Sequence, residues 1–213
     1  MTEWVLHWSP LSPFVRKVMC CVHELGLESQ VRCIRTKVSS QVPNLELIAD
    51  NPLIRIPVLV LPGGQALFDS VVICEYLNSR SADISLYPVQ GAERWQALRW
   101  QALGDGLCDT LIAWRHERDR APEQQIPALL QGARLKVDST LDRLEAEVAE
   151  LEAAAFGIGH VAIGCALGYL GVRSSDLEWR GKRPMLAAWH AEFEARSSSQ
   201  QTKPPARSDF SLI

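Results

Sequence analysis

Apolar residues change their spacing part-way along the chain, and that change divides it in two. Trp4 to Trp8 is a short apolar run that reads as a strand. Val15, Val18, Val22 and Leu25 then recur at intervals of three and four, as the buried face of a helix requires. Pro13 suits the first helical position, where a missing amide hydrogen costs nothing, and Ser12 before it suits the N-cap. The chain thus reads strand, tight loop, helix, with a hydroxyl at a helix mouth whose free amides and dipole favour an anion. Ser12 is either a plain cap or a cap that also serves a ligand. Gly26 fits the end of this helix, and Val31 to Arg35 reads as a second strand. Residues 36–52 are broken by Pro43, Asp50, Asn51 and Pro52, with room for one short helix over 44–49.

Arg55 to Leu61 and Gln65 to Phe68 flank Pro62-Gly63-Gly64, the pattern of an antiparallel hairpin. Pro57 stands at the entrance to the first of these strands, a place where a lost donor is tolerated and where cis bonds occur, although trans is the general preference. Asp69-Ser70 opens a helix over 71–79, again setting an acid and a hydroxyl in a first turn. The order β-α-β-(α)-β-β-α over residues 1–80 predicts a thioredoxin-like α/β domain with two helix mouths, at Ser12 and Ser70, facing one cleft. Such a cleft suits a small peptide-like ligand carrying carboxylates.

Residues 81–91 lose the periodicity, and Pro88 and Gly91 mark a linker. Beyond it, over residues 92–213, strand patterns disappear and an all-α helical bundle is expected. Leu103, Leu107, Leu111 and Trp114 define one long helix, and Leu130 through Leu151 a second, packed antiparallel. The charge run Arg115 to Arg120 between them reads as a solvated helix end. Gly159 to Gly171 reads as a buried helix whose Gly164, Gly168 and Gly171 permit close backbone approach, and a last helix starts at Pro184. The polar tail from Ser197 to Ile213 is expected on the surface.

Composition narrows the partners. Lys+Arg 22 against Asp+Glu 25 gives a net charge of −3, with no basic stripe, which argues against nucleic acid or a membrane surface. The start lacks a secretory pattern, and the longest apolar stretch, Val161 to Val172, is far short of a bilayer span, so a cytoplasmic protein is expected. Six scattered cysteines include no C-x-x-C pair and no Cys/His cluster at ligand spacing, so no metal is expected, and the cysteines read as buried small apolar residues. The five histidines are dispersed; His7 could pair with Ser12, though its place in a strand favours the core or its edge.

Four features, in this order, give the chain its resemblance to a known family: Ser12 to Lys17 (S-P-F-V-R-K), Arg55-Ile56-Pro57-Val58, Asp69-Ser70-x-x-Ile73, and the all-helical second half. Together they resemble the cytosolic glutathione S-transferases, specifically the serine-using bacterial and plant-type members. The resemblance implies that Ser12 donates a hydrogen bond to the glutathione sulfur. It implies that Ile56, before a cis Pro57, pairs its backbone with the cysteinyl part of the tripeptide. Asp69 and Ser70 would hold the γ-glutamyl end, supported by Arg16. It further implies a homodimer in which Asp105 extends toward the γ-glutamyl amine bound by the partner; on its own residues, Asp105 between Gly104 and Gly106 reads equally as relief of a kink or a solvent-facing acid. One departure stands out. The family usually opens its sixth helix with a Ser/Thr-x-x-Asp box, where this chain has Gly157-Ile158-Gly159-His160.

The implied chemistry is activation of the glutathione thiolate for attack on a small electrophile, held in an apolar hollow walled by Leu11, Phe14, Leu111 and Trp114. Glutathione-dependent isomerisation, peroxide reduction, or a non-catalytic binding role on the same site are the alternatives. A thiol oxidoreductase is a weaker reading, because position 12 is serine and no cysteine lies in that loop.

Overall fold

Strand β1 (Trp4–Trp8) pairs on both edges, and the first half of the chain is assembled around it. In the computed structural model, which describes residues 3–39, 42–174 and 176–205, the sheet order is β2-β1-β3-β4. β2 (Val31–Arg35) runs parallel to β1, Trp4 opposite Val31 and Trp8 opposite Arg35. β3 (Val58–Val60) is antiparallel, His7 opposite Val58, and β4 (Ala66–Leu67) closes the hairpin against β3. Leu6, Val58 and Leu59 are wholly buried in this sheet. The parallel pair needs a crossover, supplied by helix α1 (Pro13–Glu24), and α2 (Ser70–Arg80) follows the hairpin. This is the thioredoxin-like arrangement with a mixed sheet.

Local chemistry explains the boundaries. α1 begins at Pro13 behind the Ser12 cap and ends in a Schellman motif: Gly26, at φ 67°, donates to His23, and Leu27 donates to Val22. The short helix expected over 44–49 is a 3₁₀ turn, Leu45–Ala49, because Asn44 accepts from Glu46 two residues on and tightens the entry.

Two compact units result. The first runs through Val89 and takes in Ser197–Pro205; the second spans Gln90–Arg196. The expected surface tail, Ser197 to Ile213, is corrected in its first turn and lies outside the described residues over 206–213: α8 (Ser197–Gln201) packs on α1 with Ser198 and Ser199 buried, while Gln200 and Gln201 are exposed. Polar residues are buried there because each finds a polar partner on α1, Ser198 with Glu24 at 2.5 Å and Ser199 with Arg16 at 2.9 Å.

The second unit holds α3 (Gly91–Arg118), α4 (Pro127–Ala146), α5 (Val148–Ala153), α6 (Ile158–Arg173) and α7 (Pro184–Ala195). The second long helix of the sequence pattern is broken at Glu147, whose buried carboxylate accepts from Arg99 at 2.6 Å and from the Trp100 indole at 2.9 Å. The charge run is also more than a solvated end. Glu117 is buried, accepts from the Ile126 amide at 2.6 Å and pairs with Arg120 at 3.1 Å, closing the α3–α4 turn. α6 is buried along nearly its whole length. Its close approaches are made by Gly159 against Trp100 and Gly164 against Phe193, with Gly104 of α3 meeting the backbone of Ala162; a methyl group at Gly171 would meet only ordinary contact distances.

The missing capping box at α6 is replaced by histidine. The Gly157 amide donates to His160 Nδ1 at 3.1 Å, and Nε2 lies 2.9 Å from the Leu151 carbonyl, which can only accept. His160 is therefore neutral with its proton on Nε2. Burial, aided by the Arg196 charge, holds its pKa below the ordinary histidine value. The unfolded chain takes up a proton below pH about 6.5 while the folded one resists, so stability is complete above that pH and falls as pH drops toward the folded pKa. Urea midpoints measured across pH 7 to 5 should decline with a slope of up to about 1.4 kcal/mol per unit from this residue. His160→Ala should be less stable by about 1–2 kcal/mol at pH 7 and show a shallower decline; an equally steep decline would remove His160 as its source.

Candidate functional site

The first unit brings a serine, a cis-proline element and an acid-serine pair to the ends of strands and the mouths of helices. Ser12 has extended backbone angles (φ −90°, ψ 120°), and its Oγ accepts from the Val15 amide at 3.2 Å. That bond occupies a lone pair and leaves the hydroxyl hydrogen for an outside acceptor. Ser12 is half-buried, and the turn leading to it is fixed by its amide donating to Ser9 and by Leu11 donating to the Ser9 hydroxyl. The first turn of α1 holds no acid, and Arg16 and Lys17 are buried just beyond it, adding positive charge near the dipole end. The Lys17 ammonium lies 5.9 Å from the Phe14 ring centre.

Arg16 sits one turn along and reaches α8, donating from Nη2 to Ser199 Oγ. One partner of Arg16 is thus 183 residues away in sequence.

Ile56–Pro57 is cis and buried. Both residues precede β3, so the backbone of Ile56 lies outside the strand register, which ends at the His7–Val58 pair. The Ile56 side chain packs in one apolar cluster with Val15, Leu47 and Val58. Val15 is also the residue whose amide caps onto Ser12, so the proline element and the helix mouth share one piece of core.

The loop into Ile56 is wound on Asn51, which is 2% exposed. Its side chain accepts from Leu53 at 3.0 Å and donates to the Arg55 carbonyl at 2.9 Å. These bonds hold Ile54 at φ 52°, a left-handed conformation that β-branched residues avoid. Beside it, Asp50 meets His7 Nε2 at 3.0 Å while Nδ1 meets Thr36 Oγ1 at 2.8 Å. His7 is therefore a bracket between β1 and two loops, not a partner of Ser12. Sequence reading singled out neither Asn51 nor Asp50 as a site residue, and only their turn-forming types offered a signal.

At the second helix mouth Asp69 is the N-cap of α2, its Oδ1 accepting from the Val71 amide at 2.9 Å. Its carboxylate is exposed, whereas Ser70, the first helical residue, is 2% exposed.

The remaining candidates divide between the units. Leu11 and Phe14 are half-buried in the first. In the second, Asp105 is half-buried on α3, Leu111 is buried, and Trp114 lines a groove of about 220 Å³ between α3 and α4 with Ala113, Leu129 and Ala133. Among the described residues no group of three or more His, Cys, Asp or Glu side chains could hold a metal ion.

Residues 11–80 match the glutathione S-transferase N-terminal domain, and residues 127–192 match the glutathione S-transferase C-terminal domain. The chain belongs to the glutathione S-transferase family. It is 30% identical over 91% of its length to the uncharacterized GST-like protein YibF of Escherichia coli K12, covering 95% of that protein. It is similar to a glutathione transferase family member from Pseudomonas fluorescens Pf-5 crystallised with bound glutathione, at 42% identity and TM-score 0.93, covering 96% of this chain and 100% of that one. A structure from the same organism with bound S-(propanoic acid)-glutathione gives 41% identity and TM-score 0.88 over 95% and 100%.

Because Asn51 closes the turn with two bonds from a buried side chain, Asn51→Ala should cost about 2–3 kcal/mol, measured as a urea midpoint shift at constant m-value. A loss below about 0.5 kcal/mol would show that the turn does not depend on it.

Proposed function

We propose that this protein is a glutathione transferase that binds glutathione in its first unit and ionises its thiol for attack on a small apolar electrophile. One observation carries the reading: Ser12 Oγ is held as an acceptor by the Val15 amide, so its hydrogen is free to be donated to a sulfur at the α1 mouth. A thiol of pKa about 8.5 is only a few per cent ionised at neutral pH. Lowering it by about two units needs roughly 2.7 kcal/mol of preference for the thiolate. One charge-assisted hydrogen bond supplies about 1.5–3 kcal/mol, and the helix end about 0.3–1 more. Ser12 in this role stabilises a nucleophile and is not one itself.

The tripeptide would lie along Ile56 before the cis Pro57, pairing with its backbone, and its γ-glutamyl end would meet Asp69 and Ser70, with Arg16 supporting that end of the site. Leu11, Phe14, Leu111 and Trp114 are the proposed apolar contacts of the electrophile. The relative holding an S-substituted glutathione supports transfer chemistry, since a thioether is the product of such a reaction. We infer a cytoplasmic protein; among the described residues no helix is long and apolar enough to cross a membrane. We also infer a homodimer, supported by exposed apolar side chains at Val72, Trp95, Leu129 and Leu135.

Millimolar glutathione should raise the melting temperature of the wild type, because a ligand selective for the folded state stabilises it. Ser12→Ala should keep most of that shift while lowering turnover by about one to two orders of magnitude. The ultraviolet absorbance of the bound thiolate, titrated against pH in both proteins, decides the role of Ser12: an unchanged thiol pKa would rule it out.

For the dimer, Asp105→Asn should weaken glutathione binding about tenfold in titration calorimetry, the effect of one charged hydrogen bond. Sedimentation must show the variant still dimeric. Unchanged affinity would leave Asp105 a structural residue, and a monomeric wild type would exclude its reaching a partner site.

A further inference from the structure

The loop that carries Ile56 is held at both ends by one residue of β1. His7 stands opposite Val58 in the antiparallel register, so its backbone fixes where the chain re-enters the sheet after Pro57. Its side chain fixes where the loop begins, with Nε2 3.0 Å from Asp50 Oδ2. On the other side of the ring Nδ1 lies 2.8 Å from Thr36 Oγ1, and the Thr36 amide donates to the Trp8 carbonyl at 2.9 Å. A carboxylate only accepts, so Nε2 carries a hydrogen and the orientation of the ring is set. Residues 50–58 thus form a loop closed across a single imidazole.

The other polar bonds of this loop give it shape and do not tie it to β1. The Asp50 and Asn51 amides both donate to the Leu47 carbonyl, the Ile54 amide donates to Asn51, and the Asn51 side chain bonds Leu53 and Arg55 around the left-handed Ile54. The polar side-chain link to the sheet is His7 to Asp50. Apolar packing follows the same plan: Trp8, Val38 and Ile54, from the three segments that the imidazole joins, pack against the cluster of Ile56 and Val15. The Asp50 side chain is 32% exposed and that of His7 12%. An ion pair at such exposure adds little to global stability, so what this one supplies is position.

We propose that His7 is a positioning residue for glutathione: through Asp50 it sets the Ile56 backbone where the tripeptide pairs with it, and so governs affinity for the tripeptide and not the acidity of its thiol. This rests on the transferase reading, in which Ile56 meets the cysteinyl part and Ser12 acts on the sulfur. Neither His7 nor Asp50 touches the ligand in this arrangement. A backbone pairing needs its donor and acceptor placed to within about 0.5 Å, so freeing one end of the loop weakens binding with every ligand contact still present in the sequence.

The two ring nitrogens have different amide mimics, and these test it. His7→Gln keeps a donor at the Nε2 position for Asp50, whereas His7→Asn reaches only the Nδ1 position and leaves Asp50 unmet. In titration calorimetry with glutathione, His7→Asn and Asp50→Ala should each bind about tenfold more weakly than the wild type. His7→Gln and Asp50→Asn, which keep the link, should stay within about twofold. The pKa of the bound thiol, read from thiolate absorbance at saturating glutathione, should be the same in all of them. His160→Ala, destabilised in the second unit, should bind as the wild type does. Equal affinity throughout, equal weakening in Asp50→Asn and Asp50→Ala, a comparable loss in His160→Ala, or a thiol pKa that moves with affinity would overturn the proposal. A wild type that binds no glutathione fails the transferase reading itself, and the proposal with it. Circular dichroism melts establish which variants are folded; should His7→Asn not fold, the two Asp50 variants decide.

Discussion

Everything proposed for this protein depends on one short hydrogen-bonded turn, in which the Ser12 oxygen accepts from Val15 and so keeps its hydrogen for another acceptor. A hydroxyl can do both at once because it has one donor and two acceptor sites, which a carboxylate cap could not. Asp69 shows the contrast at the second helix mouth. It caps α2 equally well, but as an ionised acid it can only accept, so it suits an amine and not a thiolate. The two mouths are thus chemically opposite.

A donor that must favour a thiolate by a few kcal/mol has to be held in place before the ligand arrives, and the scaffold spends buried polar groups on this. α1 is fixed on its apolar side by Val15, Val18 and Val22, each 0–1% exposed. On its polar side, Arg16, Cys20 and Glu24 contact Ser199, Thr202 and Ser198 of the C-terminal segment. A buried guanidinium is tolerated only when its polar groups are met, so the first unit is completed by residues 197–205, far along the chain from α1. The loop carrying Ile56 is treated similarly, with Asn51 and the His7–Asp50 pair holding a left-handed Ile54 that free peptide would not adopt.

Much of this was legible from sequence, and the pattern of success is physical. Caps and turns are local, so Ser12, Pro13, Gly26 and Asp69 announced their helices within four residues. The cis bond at Pro57 came from family resemblance and not from the residues. What was not legible depended on distant partners. His160 replaces a capping acid only because the Leu151 carbonyl fixes its tautomer. Ser198 and Ser199 look like surface residues until Glu24 and Arg16 are set beside them. Among the glycines, spacing pointed to Gly164, which does meet Phe193 closely, and to Gly171, which does not make a close approach, whereas those at Gly104 and Gly159 are fixed by which helix face meets which, a property of the packed bundle.

The same unit that would ionise a visiting thiol holds a buried thiol of its own that resists ionisation. Cys21 is wholly buried, and a hydrogen bond to Cys74, then burial, push its pKa well up. A thiol is reactive as thiolate, so the buried Cys21 sulfur is disfavoured as a nucleophile by its exclusion from solvent. Low dielectric acts in opposite directions according to whether a dipole faces the sulfur: it penalises an unsupported thiolate and favours one met by a hydroxyl and a helix end. In the role proposed for it, serine at position 12 would separate binding of a thiol from exchange with it. A cysteine there could exchange with a disulfide to form a mixed disulfide, whereas a hydroxyl cannot, and the proposed thiolate would be left to attack the electrophile.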